Sequence, residues 1–118
     1  MSNRLFVYGT LAPGRSNEHI LWGLTGEWKP ARVRGIVLEN GWGEALGYPA
    51  IILSPDAPEV HGLIFSSDDL PVHWARIDEF EGEGYRRVLT TAVLEDGLSQ
   101  TVFVYELQFE AGAGPFDE

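Results

Sequence analysis

A chain of 118 residues suits one domain able to bury its own core, and a composition of 44% hydrophobic and 22% charged residues excludes disorder over most of its length. Cysteine is absent, which excludes disulfides, thiol nucleophiles, thiolate zinc sites and iron–sulfur clusters. The formal charge of -10 is unevenly spread, with three basic and fourteen acidic side chains in residues 51–118 against five and four in residues 1–50, so nucleic acid and anionic membrane are poor partners.

Met1 to Arg4 passes directly into a strand-like run without the layout of a signal peptide, and no apolar run approaches the roughly 18 residues of a membrane helix. A cytoplasmic chain forming a single domain over residues 1–118 is expected, with residues 109–118 as a frayed tail of small and acidic residues. Leu5 to Tyr8 is apolar on both faces and predicts a buried central strand that breaks at Gly9. Ser16 or Asn17 caps a short helix over residues 18–22. A long strand is expected from Trp28 to Glu39, then a glycine-rich loop over residues 40–47, then strands over Ala50–Leu53 and Glu59–Phe65. Ser66 to Asp69 is a helix start that places acids in the first turn, where the helix dipole favours them. The helix ends near Glu81, stopped by Gly82. Strands over Tyr85–Leu94 and Thr101–Phe109 are joined by Glu95-Asp96-Gly97-Leu98, where Asp-Gly marks a hairpin. In the last strand Thr101, Phe103, Tyr105, Leu107 and Phe109 share one face. The class is α+β: about six strands in a small, mixed, curved sheet or barrel, with one main helix and short flanking helices.

On that helix Leu70, Trp74 and Ile77 fall within roughly 60° of one another at about 100° per residue, and Glu81 follows Ile77 by one turn. A carboxylate on an apolar stripe is unfavourable unless it is paired, hydrogen-bonded or facing a cavity. Desolvation would raise its pKa into the range of a general acid/base. The competing reading has Glu81 reaching water from the last turn, or pairing with Arg86 or Arg87. A second feature is Tyr8-Gly9-Thr10-Leu11, where a strand ends in a glycine turn. The amides there can form a nest for a carboxylate, or the segment is a plain strand-to-loop turn. His19, His61 and His73 have no metal-ligand spacing, and His61, sharing a strand face with Leu63 and Phe65, is expected as a core histidine. Trp22, Trp28, Trp42 and Trp74 are expected as packing residues.

Val7-Tyr8-Gly9-Thr10-Leu11, Gly47-Tyr48-Pro49-Ala50, Val60-His61-Gly62-Leu63-Ile64-Phe65 and Ile77-Asp78-Glu79-Phe80-Glu81-Gly82 with Tyr85-Arg86-Arg87 together resemble the gamma-glutamylcyclotransferase-like family, in order and spacing, over about residues 4–107. The resemblance implies a compact mixed barrel with a cavity between the first glycine turn and the end of the main helix. It implies a catalytic acid/base at Glu81 and a substrate-cradling turn at Tyr8, Gly9, Thr10 and Leu11. It also implies cyclisation of a gamma-glutamyl amine or peptide to 5-oxoproline, without metal or organic cofactor. Tyr105, on the apolar face of the last strand, and Tyr85, just after the helix, are added as substrate-orienting candidates, since a buried phenol seeks a polar partner. The alternative function is a module on the same fold that binds a small carboxylate without turnover. Oligomeric state is not legible from the sequence.

Overall fold

Strand β1 (Arg4–Val7) carries side chains that are needed on both of its faces. The computed structural model describes residues 3–8, 21, 23–38, 50–82 and 84–107. After β1 come β2 (Glu27–Leu38), β3 (Ala50–Leu53), β4 (Glu59–Ser66), α1 (Leu70–Glu81), β5 (Tyr85–Leu94) and β6 (Ser99–Leu107). The pairings β1–β4, β4–β2, β2–β3, β3–β6 and β6–β1 close a five-stranded barrel, and β5 lies outside it, paired along β6 and touching β2. Two of these pairings are parallel, Leu5 opposite Phe103 and Ile51 opposite Glu106; the remainder are antiparallel.

Alternation along the strands divides the apolar residues into two layers. Phe6, Val33, Ile51, Ile64, Val102 and Val104 pack together inside the sheet. Leu5, Val7, Phe65 and Tyr105 pack on the opposite face, beneath Leu70, Trp74 and Ile77 of α1. This is why β1 is apolar on both faces. Gly62 lets β4 run close to β1, because a Cβ there would stand 2.5 Å from the Val7 carbonyl oxygen.

Three expectations need correction. His61 is exposed, not core. The helix covers the Phe65 end of that strand face, and His61 lies four residues away, opposite Arg32. The first turn of α1 holds no acid; Asp69 is its N-cap and accepts a hydrogen bond from the Thr25 amide at 2.9 Å instead of capping its own helix. The last strand begins at Ser99, two residues early, because the turn is tight: the Leu94 amide donates to the Leu98 carbonyl at 2.8 Å and Gly97 takes φ +86°. Trp74 and Trp28 are packing residues, Trp28 against Phe65 at 4.6 Å between ring centroids. The expected helix over 18–22, the loop over 40–47, Trp22, Trp42, Phe109 and the frayed tail lie outside the described residues. Among the described residues no helix is long and apolar enough to cross a membrane.

Candidate active site

Helix α1 buries Leu70, Trp74 and Ile77 almost completely, and the next position on that stripe is Glu81, half-buried in the last turn. The helix stops because Gly82 adopts φ +81°, a conformation that costs glycine little, while its amide donates to the Asp78 carbonyl at 3.0 Å. The chain then turns back as β5, carrying Tyr85, Arg86 and Arg87 alongside the helix end.

Neither arginine pairs with Glu81. Arg87 donates from Nε and Nη2 to the two carboxylate oxygens of Asp78, at 2.9 and 3.2 Å. Its guanidinium also lies over the rings of Trp74 and Phe103, at 4.4 and 4.5 Å from their centroids. Ring contact through the guanidinium face together with a fork of N–H donors along its edge is geometry that arginine supplies and lysine does not. Arg86 donates to Oε1 of Glu106 at 3.0 and 3.2 Å, and Oε2 of Glu106 accepts the Leu53 amide at 2.9 Å. Glu81 has no hydrogen bond or ion pair with a described residue. Burial, reinforced by the like charge of Asp78, pushes its carboxyl up from 4.5 to about 7. At neutral pH such a group both accepts and gives a proton.

The phenols expected around Glu81 fall into place unequally. Tyr105 is buried, and its hydroxyl donates to Asp78 Oδ1 at 2.6 Å. The Tyr8 hydroxyl donates to the Tyr105 carbonyl at 2.7 Å and accepts the Ile51 amide at 3.2 Å. Burial raises both phenols above the ordinary tyrosine range, with the Glu81 charge a smaller contributor at each. Glu81 therefore lies within electrostatic reach of both. Tyr85 and Tyr105 line a cleft of about 510 Å³ with Asp78, Glu79, Gly82, Arg86 and Arg87, and neither Glu81 nor Tyr8 is among its lining residues. Gly9, Thr10 and Leu11 lie outside the described residues. Sequence reasoning missed the roles of Asp78, Arg87 and Glu106. The available signal was strand alternation, which puts Arg87 on the same face of β5 as Tyr85 and directly opposite Tyr105 of β6.

Several solved structures share this fold. YkqA from Bacillus subtilis matches with a TM-score of 0.68 at 22% identity, over 96% of this chain and 39% of that one. A protein of Arabidopsis thaliana known from its solution structure matches at 0.68 and 26%, over 91% and 62%. This chain thus spans less than two thirds of the length of either. A structure described as a gamma-glutamyl cyclotransferase matches at 0.66 and 21%, over 92% and 68%. No curated protein matches the chain. The family model that matches, over residues 5–116, is that of gamma-glutamyl cyclotransferase, AIG2-like, and the chain belongs to this family.

Proposed function

We propose that this protein is a gamma-glutamyl cyclotransferase that releases 5-oxoproline from a gamma-glutamyl amine or peptide, with Glu81 as the general acid/base. The observation that carries the reading is the state of Glu81: partly buried at the end of the apolar stripe, bonded to no described residue, and raised to about 7 by burial and the charge of Asp78.

The reaction needs little beyond placement and one proton carrier. The α-amine nitrogen of the substrate attacks its own side-chain carbonyl carbon and forms the ring C–N bond. The Glu81 carboxylate takes the proton that this nitrogen sheds. Collapse of the tetrahedral adduct breaks the original amide C–N bond, and the Glu81 carboxylic acid returns the proton to the departing nitrogen. The products are 5-oxoproline and the free amine. A pKa near ambient pH serves both halves of this cycle. Because the attack is intramolecular, holding the substrate folded supplies much of the rate. The amides of Gly9, Thr10 and Leu11 are assigned to the substrate carboxylate, and Tyr8, Tyr85 and Tyr105 to the walls around it.

The test is 5-oxoproline release from a panel of gamma-glutamyl amines and peptides. Glu81→Gln keeps shape and hydrogen-bonding capacity but cannot carry the proton, and is expected to lower turnover about 100-fold or more. Glu83→Gln is expected to change it little. Equal losses in the two variants, or full activity in Glu81→Gln, would reject the assignment. Carboxylate binding without turnover anywhere in the panel would favour the non-catalytic module.

A further inference from the structure

On β2, away from α1, the sheet opens. Ala31 and Arg32 pair with Leu94 and Val93 of β5, whereas Gly35 to Leu38 pair with β3. Between these stretches β2 leaves one neighbour and joins the other, so β3 and β5 diverge. The notch left between them has a volume of about 630 Å³, larger than the cleft beside α1. Its walls include Arg32 and Arg34 from β2, Ser54 just beyond β3, and Thr90 and Thr91 of β5.

The donors in this notch are underused. Arg34 is exposed and spends one N–H, from Nη1, on the Ala57 carbonyl at 3.0 Å. Its Nε and Nη2 have no partner among the described residues. Arg32 is paired through Nε to Glu59 and gives Nη1 to the Leu94 carbonyl at 3.4 Å, leaving Nη2. The hydroxyls of Ser54 and Thr91 are bonded to no described residue, and Thr91 shares a face of β5 with Val93, which is registered opposite Arg32. Glu59 also lines the notch and neutralises Arg32, so the uncompensated charge there is that of Arg34 and Arg32 contributes a free N–H at Nη2. A chain of net charge -10 with eight Lys and Arg in all has set two arginines and two free hydroxyls around one notch. Guanidinium and hydroxyl donors on three walls suit an anion with several acceptor oxygens disposed tetrahedrally, better than a planar carboxylate that one arginine fork satisfies.

We propose that the notch between β3 and β5 is a second ligand site, which binds a phosphate group through Arg34, the free Nη2 of Arg32 and the hydroxyls of Ser54 and Thr91. The group belongs either to free phosphate or to a small phosphomonoester. Binding here is independent of chemistry at Glu81.

The full chain, labelled with 15N, is titrated by NMR with orthophosphate, with glycerol 3-phosphate and with acetate at constant ionic strength. Saturable shifts confined to the amides of Ser54, Thr90, Thr91 and their neighbours are expected with the two phosphates. Equal affinities mean that the site takes free phosphate, and tighter binding of the ester means a phosphorylated metabolite. Arg34→Gln, on an exposed side chain, is expected to weaken binding about tenfold. Ser54→Ala is expected to weaken it less, and Lys29→Gln, on the same strand outside the notch, not at all. Non-saturable shifts, equal response to acetate, or equal loss in Lys29→Gln and Arg34→Gln would overturn the proposal.

Discussion

Asp78 and Glu81 stand three residues apart on α1 and are opposites electrostatically. Asp78 holds Arg87 on both oxygens and accepts the Tyr105 hydroxyl, whereas Glu81 is bonded to no described residue. The arginine fork satisfies Asp78 and leaves the half-buried Glu81 available to hold a proton. Asp78 acts on Glu81 through its charge, which disfavours a second anion.

Asp78→Asn follows from this pairing. With the like charge gone, the midpoint of Glu81 is expected to fall from about 7 toward the ordinary carboxylate range. It stops short of that range, because burial, the larger cause, remains. Carboxyl 13C NMR titration of Glu81 reads this without any substrate. An unchanged midpoint would mean that the Asp78 charge is fully screened.

The raised carboxyl also opposes folding at high pH. Between 4.5 and about 7 the native state keeps a proton that the unfolded chain has released, so stability is full below 4.5 and falls as pH rises through 7. The loss is on the order of 3 kcal/mol at most, because solvent screens a side chain that is only half-buried. Glu81→Gln removes the ionisation. Its Tm relative to the parent is expected to climb by several degrees between about pH 5 and pH 8. Calorimetry at the two pH values checks this; an offset independent of pH would show that Glu81 does not titrate in that window.

The Tyr8 hydroxyl ties the end of β1 to β3 and β6 by accepting the Ile51 amide and donating to the Tyr105 carbonyl. Tyr8→Phe leaves both backbone groups without this partner and is expected to cost about 1–3 kcal/mol in denaturant unfolding. Faster exchange of the Ile51 amide should accompany the loss. A variant as stable as the parent, with Ile51 still protected, would show that other groups or water replace the phenol.

Much of this molecule can be read along the chain. Leu70, Trp74 and Ile77 repeat at helical spacing, so the helix, its buried face and the odd position of Glu81 are properties of residues close in sequence. The strands over Ala50–Leu53 and Tyr85–Leu94 and the Asp96-Gly97 turn follow equally from local pattern. Other features depend on residues far apart. Closure of the barrel rests on Leu5 meeting Phe103 and Ile51 meeting Glu106, contacts that no local periodicity encodes. The β5–β6 hairpin puts Arg87 opposite Tyr105, but only the docking of α1 across that hairpin brings it to Asp78 and so decides which carboxylate of α1 is neutralised. His61 has the alternation of a core residue, yet it is exposed because α1 covers only the other end of its strand. Periodicity states which side chains share a face; what covers that face, and which charge finds which partner, is settled when the strands close and the helix docks across them.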